Sequence, residues 1–424
     1  MTDRLFKKIC NAYTYGFVFI VLLCLFRVRN IFGKGLDFTD NTLCFHFSTK
    51  IASGLMPYRD FDMPTTPLAH YIEAMFLLIF GKYFIIDSIL GLFVIIFQCF
   101  AAFLILSLFM DKLKSSIVVA FIILSDTGYS GSFGFSPLST LLVAFTVYTF
   151  LLYAKSFSYK LLWITSIMCS FTFLTKQNHG MFLFLSLLFF IILFNIKDLK
   201  KAFKPIIITI IGFLAPFIFY CLYLWFAGGF SVFIENIFLE SAEKKAIMKD
   251  GLAGLIHTTA GIISVKLAIG TLIALIMLYL YMFKEGMLKN IALTYIIVSI
   301  VALPLSKLAS PSLSDHLYQE ITRYTTFFSS VMWYDAMRIT ALTYLFYCFY
   351  LLIKNSLGSI NRLFFCLSIA MLTITFSSQL SYPGRELMHA LLPTLYFFVF
   401  MEIQVKQLLN KTGEVYVEIN QKTG

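Results

Sequence analysis

Long apolar runs recur along this chain from near its first residue to near its last, and they leave few folds open. The run 84–110 holds a single charged residue, Asp87, and several others hold none. In lipid no water is present to satisfy backbone N–H and C=O groups, so runs of this kind must become helices that satisfy their own. The bulk numbers agree. Hydrophobic residues make up 59% of the 424 and charged residues 13%, against roughly 45–50% and 25% in soluble chains. The expected fold class is therefore all-α, a polytopic membrane protein. The formal charge of +11 resides in short Lys- and Arg-bearing loops between apolar runs. That is an orientation signal for a membrane protein, and no nucleic-acid partner is expected. Of eight cysteines, all but Cys44 lie in or beside apolar runs, without paired spacing. They predict neither a disulfide framework nor a zinc site, but small buried hydrophobes.

Topology follows from length and charge. Arg4, Lys7 and Lys8 precede the run 13–26, which is followed by Arg27-Val28-Arg29-Asn30 rather than a small-residue cleavage site. This predicts an uncleaved first span with a cytoplasmic N-terminus. The apolar stretch 67–80 has about 14 residues, where a spanning helix needs about 20. It is predicted to lie on the surface, opened by Pro67 and stopped by Gly81. Thr39-Asp40-Asn41 caps a further short helix, with Leu43, Phe47 and Ile51 at helical spacing. Two amphipathic surface helices, joined by a turn over 57–64, thus form the first outer loop, 37–81.

The remaining spans are then 84–110, 116–125 (extending into its flanks), 138–154, 161–174, 181–195, 205–226, 260–283, 291–305, 339–353, 363–376 and 387–405, about twelve with the first. The Lys/Arg-bearing segments 111–115, 155–160, 196–204, 284–289 and 354–362 all fall inside, as the positive-inside rule requires. Were 67–80 to span, all five would face out. Under this arrangement all six histidines reach the outer side or its rim, as do the longer loops 125–137, 228–259 and 306–338. The chain reads as one transmembrane domain, 1–405, with a polar cytoplasmic tail, 406–424. The expected membrane is the cell (inner, cytoplasmic) membrane, with both termini predicted to be cytoplasmic and any chemistry extracytoplasmic. No nucleotide-binding loop or metalloprotease helix is present.

The stretch 37–81 gathers Asp37, Asp40, Asp60, Asp62 and Glu73 with His46, His70, Lys50 and Arg59. So many ionisable groups beside a membrane are costly unless they work or face water. The order Asp40-Asn41, Gly54, Pro57-Tyr58-Arg59-Asp60-Phe61, Pro67-Leu68-Ala69-His70-Tyr71, and later Thr175-Lys176-Gln177 resembles the membrane-embedded GT-C glycosyltransferases, in the branch of protein O-mannosyltransferases and lipid A aminoarabinose transferases. The likeness is good over 37–81, fair to about 204 and faint beyond. Two acids common in that group are absent: Asn41 replaces the glutamate of Asp-Glu, and Pro137-Leu138 stands where Pro-Asp is frequent. Both departures weaken a metal role built on those acids and weaken the case for activity.

The resemblance implies a sugar donor on a polyprenyl phosphate, presented outside, and a lipid, glycan or protein acceptor. The reaction needs a base for the acceptor and positive charge for the departing phosphate. The resemblance places the base at Asp40, which a plain helix cap would also explain. Asp60 and Asp62 are candidates to orient the acceptor or hold a divalent cation, the one cofactor considered, and equally ordinary turn formers. Arg59, Lys176 and Arg385 are candidates for the donor phosphate, with snorkelling or anchoring as the bland accounts of the last two. Metal ligands are not identified; His257, His316 and His389 each read as surface histidines first. Lys266 is a charge inside the span 260–283. Two rivals stand beside this reading. An O-antigen-type polysaccharide polymerase would use 306–338 with Arg323, Arg338 and Arg385, and a flippase or transporter would place Asp87 and Lys266 at mid-depth. An inactive relative that binds a glycolipid is a third.

Overall fold

In a computed structural model of the chain, the described residues are 14–25, 40–125, 133–239, 361–371, 395–396, 398–400 and 402–403. They are helical apart from turns, with no strand among them. The helices are α1 (Thr14–Leu25), α2 (Asp40–Ala52), α3 (Leu68–Phe80), α4 (Phe84–Leu106), α5 (Lys112–Ser125), α6 (Phe135–Ser156), α7 (Tyr159–Thr175), α8 (Gln177–Phe194), α9 (Leu199–Ala227), α10 (Phe230–Ile234, running into a π turn over Glu235–Leu239) and α11 (Asn361–Met371). Four of them, α4, α6, α8 and α9, are long and apolar enough to cross a membrane. With the composition above, these make the chain an integral membrane protein. The expected spans 260–283, 291–305 and 339–353 and the loop 306–338 lie outside the described residues, so the count of twelve rests on sequence.

Local chemistry accounts for the breaks. α2 gives way to Gly54 at φ +88, and α3 stops at Gly81 at φ +93, whose N–H reaches the Leu77 carbonyl at 3.0 Å. Such angles suit a residue without Cβ. α3 follows Pro67 directly, as expected. The run 84–110 ends its helix early, at Leu106, and Asp111 caps the next by accepting the Lys114 N–H at 3.0 Å. A single extended residue, Lys176, separates α7 from α8. That turn brings Gly180 so close to α7 that a Cβ there would lie 2.1 Å from the Phe173 nitrogen. Buried hydroxyls inside apolar helices, such as Thr146, Thr165, Ser166 and Thr209, donate to the carbonyl four residues back.

The helices from α4 to α9 alternate in direction. Arg362 lies over the rings of Phe157 and Phe194 at 5.0 and 5.2 Å, and Lys114 pairs with Glu402 at 3.3 Å. The basic segments after α4, α6 and α8 thus share one end of the bundle with the start of α11. The α2–α3 pair sits at the opposite end, where α3 packs on α4, α6 and α7. Between the ends runs a core that includes Phe103, Phe150, Phe190, Phe364, Phe365 and Tyr396. One expectation is corrected. The stripe of α2 turned to the protein is Cys44, Phe47, Ser48 and Ala52, while Leu43 is exposed and Ile51 half-buried. Polar partners waiting on α3 outweigh the hydrophobic spacing of Leu43, Phe47 and Ile51.

Candidate functional site

The turn between α2 and α3 is built by the residues of the Pro57–Phe61 motif. Tyr58 takes a left-handed φ of +64, and its N–H reaches the Phe61 carbonyl at 2.9 Å. Its buried hydroxyl donates to the Thr65 carbonyl at 2.6 Å, and its ring meets Phe233 edge-on at 5.1 Å. Asp60 accepts the Met56 N–H at 2.8 Å and two bonds from Arg59, from Nε and Nη2, at 2.9 Å each. The guanidinium beside it, with the Met56 N–H, holds its carboxyl at about 2. The turn docks on the start of α10: a Cβ on Gly229 would come within 3.2 Å of the Pro57 carbonyl. Lys50 lies 5.0 Å over the Phe61 ring, which stacks on Phe47.

Under that turn is a buried polar cluster that the sequence did not assemble. His70 is 1% exposed and Glu73 and Asp87 are 0% exposed, so each must be paired, protonated or costly. Cys44 Sγ lies 3.3 Å from His70 Nδ1, and Thr65 Oγ1 lies 2.8 Å from His70 Nε2. Burial lowers His70 to about 4, so the imidazole is neutral. Ser48 donates towards Glu73 Oε2 at 2.7 Å, and Glu73 in turn lies against Asp87. Burial pushes the Glu73 carboxyl up. Asp87 stands in the first turn of α4, at the end of the helix rather than at the mid-depth a transporter would use. An acid inside an apolar run is a signal readable from sequence. The pairing of these two was not readable, because it depends on how α3 folds back on α4.

A second polar group lies at the same end, where α6 begins and α7 turns into α8. Lys176 Nζ reaches Ser136 Oγ at 3.3 Å, and Ser139 Oγ is 2.7 Å from His179 Nδ1. Gln98 of α4 donates to the Pro137 carbonyl at 2.7 Å. This corner presents one ammonium and the N-termini of two helices, a setting suited to an anion. Ser136 and Ser139 were missed at the level of sequence, since isolated serines in an apolar helix carry no distinguishing pattern.

Of the residues expected to act, Asp40 is the first residue of α2, one turn before Cys44. Arg59 and Asp60 are brought together, each satisfying the other. Asp62 is exposed. Lys176 is half-buried at the rim. Arg385, Lys266, His257, His316, His389, Arg323 and Arg338 lie outside the described residues. Among the described residues no three His, Cys, Asp or Glu side chains stand close enough to hold a metal ion. Asp60 already has both oxygens on the Arg59 guanidinium and the Met56 N–H, so its carboxylate does not fit a metal cation as well.

No known protein-family profile matches the sequence, and none of the curated proteins does. Among solved structures, the chain is similar to the archaeal oligosaccharyltransferase AglB from Archaeoglobus fulgidus, determined in complex with an inhibitory peptide and a dolichol-phosphate. The identity is 12% and the TM-score 0.48, over 94% of this chain and 52% of that one. The chain spans about half the length of that protein.

Proposed function

We propose that this chain is a membrane glycosyltransferase of the GT-C kind. It moves a sugar from a polyprenyl-phosphate donor to a lipid, glycan or protein acceptor on the extracytoplasmic face. The observation that carries the reading is the placement of the α2–α3 pair. The aspartate that opens α2, the Pro57–Phe61 turn and Lys176 share one end of the bundle, opposite the basic segments. By the positive-inside rule the basic end is cytoplasmic, which leaves the α2–α3 end outside.

The chemistry is a single displacement with inversion. Asp40 takes the proton of the acceptor hydroxyl or amine as that atom bonds to the anomeric carbon. The bond from that carbon to the phosphate oxygen breaks, and the lipid phosphate leaves with the electron pair. Lys176, steadied by Ser136, and Arg385 supply positive charge for the leaving phosphate. Arg59 is less suited to that role, because its charge is met by Asp60. Asp60 shapes the turn.

The test is single-turnover transfer from radiolabelled polyprenyl-phosphate sugars in proteoliposomes, wild type against D40N. The change is nearly isosteric and keeps a capping side chain. The expected result is a loss of roughly 10²–10⁴-fold in rate, the usual worth of a general base, with donor binding retained. Full activity in D40N removes Asp40 from the mechanism.

A further inference from the structure

The mechanism above makes no use of Glu73 and Asp87, and their surroundings are short of hydrogen-bond donors. Both are fully buried, one on α3 and one on the first turn of α4, with their carboxyl groups against each other. One Glu73 oxygen and both Asp87 oxygens have no hydrogen-bond partner. Ser48 has a single hydroxyl hydrogen and two acceptors within reach, the Cys44 carbonyl at 2.9 Å and Glu73 Oε2 at 2.7 Å. From the side of α6, the Phe133 N–H goes to the main-chain oxygen of Asp87 at 3.2 Å. The titratable groups facing the pair are Cys44 of α2 and, beyond the thiol, His70 of α3. No lysine or arginine among the described residues bonds to either carboxyl. Two ionised carboxylates in contact, both fully buried and with three of their four oxygens unpartnered, repel strongly, and the usual remedy is one retained proton.

We propose that Glu73 and Asp87 hold one proton between them, and that this proton fastens the α2–α3 pair to the start of α4, positioning the helix that Asp40 opens. The proposal concerns how the α2–α3 pair is seated and stands whether or not the chain transfers sugars. With the proton in place one carboxyl donates to the other, Ser48 bridges α2 to α3, and the cluster needs no counter-ion. Burial pushes the Glu73 carboxyl up, so the seated state holds a proton that an unseated, solvated pair releases. Raising the pH above the ordinary glutamate range therefore favours unseating, and the clamp is gone once the shared proton leaves. On the acid side the sign reverses through His70. It is buried neutral and held at about 4, so seating weakens as the pH falls below the ordinary histidine value.

Cys44 reports the event, because it is 0% exposed when the pair is seated. The purified full chain in lipid nanodiscs is treated with a maleimide across neutral and alkaline pH. Label on the Cys44 peptide is followed by mass spectrometry for wild type, E73Q and D87N. Each amide variant supplies permanently the hydrogen that the proton supplies in the wild type. The expected result is protection of Cys44 in all three at neutral pH. In the alkaline range labelling should be at least tenfold faster in the wild type than in either variant at the same pH. Superimposable curves overturn the proposal. So does exposure of Cys44 in both variants at neutral pH, which would mean that two charges and a cation are needed, and so does protection of the wild type by added Mg²⁺ or Ca²⁺. Infrared spectra of the wild type decide the matter if neither variant folds. A protonated-carboxyl band at neutral pH that titrates away in alkali supports the shared proton, and its absence overturns it.

Discussion

Asp60 shows what a motif residue does when its carboxyl is already engaged. It was legible in the sequence as part of a turn and as a candidate acid. The structure gives it three hydrogen bonds, two from Arg59 and one from the Met56 main chain. A carboxylate held at about 2, below the ordinary aspartate value of about 3.9, favours the folded turn. That contribution is present above the ordinary value and is lost as the pH falls through the folded one. D60N keeps an acceptor for Met56 and loses the charge, and D60A loses both. Thermal unfolding in micelles at neutral pH should rank wild type above D60N and D60N above D60A. The gap between wild type and D60N should close as the pH is lowered from about 4 towards 2. A gap that does not change with pH would mean that the carboxylate charge contributes nothing. Glu73 is the contrasting case. Its type and place in an apolar helix marked it in the sequence. Its partner Asp87 lies beyond the Gly81 turn, and only the folded chain joins them.

At the scale of elements, helix positions were largely legible and helix faces were not. Apolar length placed α4, α6, α8 and α9 within six residues of their observed bounds, because lipid thickness and backbone satisfaction set them. The face of α2 was misread, since Cys44 and Ser48 turn inward to meet His70 and Glu73. The α7–α8 turn makes a sharper demand. With one extended residue between the helices, their backbones meet at Gly180, where a Cβ would stand 2.1 Å from the Phe173 nitrogen. At Gly212 the nearest atom is the Cβ of Ser166, at 2.7 Å. Overpacking commonly costs about 1–3 kcal/mol and occasionally more. G180A should fall at or beyond the upper end and lower the folded yield, because main chain cannot step aside. G212A should be milder. Unfolding midpoints in micelles for the two variants check the order, and equal midpoints would mean that the turn yields.

At the scale of the whole molecule, charge and length predicted which loops share a side. The observed clustering of Arg362 with Phe157 and Phe194, and of Lys114 with Glu402, has that pattern. Sidedness in the membrane is checked with cysteines at two exposed positions, Ser53 beside α2 and Ser156 at the end of α6. In intact cells a membrane-impermeant thiol reagent should label S53C. It should reach S156C only after permeabilisation. Labelling of both from one side would sink the topology and with it the proposed outer site.

The sequence by itself determined that this chain is a helical membrane protein, roughly where its helices begin and end, and which loops carry the positive charge. Those properties depend on residues near one another in the chain, on hydrophobic length, and on glycine and proline at the breaks. Only the tertiary structure decided that Glu73 meets Asp87, that Arg59 is committed to Asp60, and that Lys176 stands over Ser136. The first and third join groups whose partnership is set by the angle and register of packed helices, and the second joins neighbours that the conformation of the 57–61 turn brings face to face. Burial then converts that proximity into chemistry, by removing the water that would otherwise keep two acids ionised and apart.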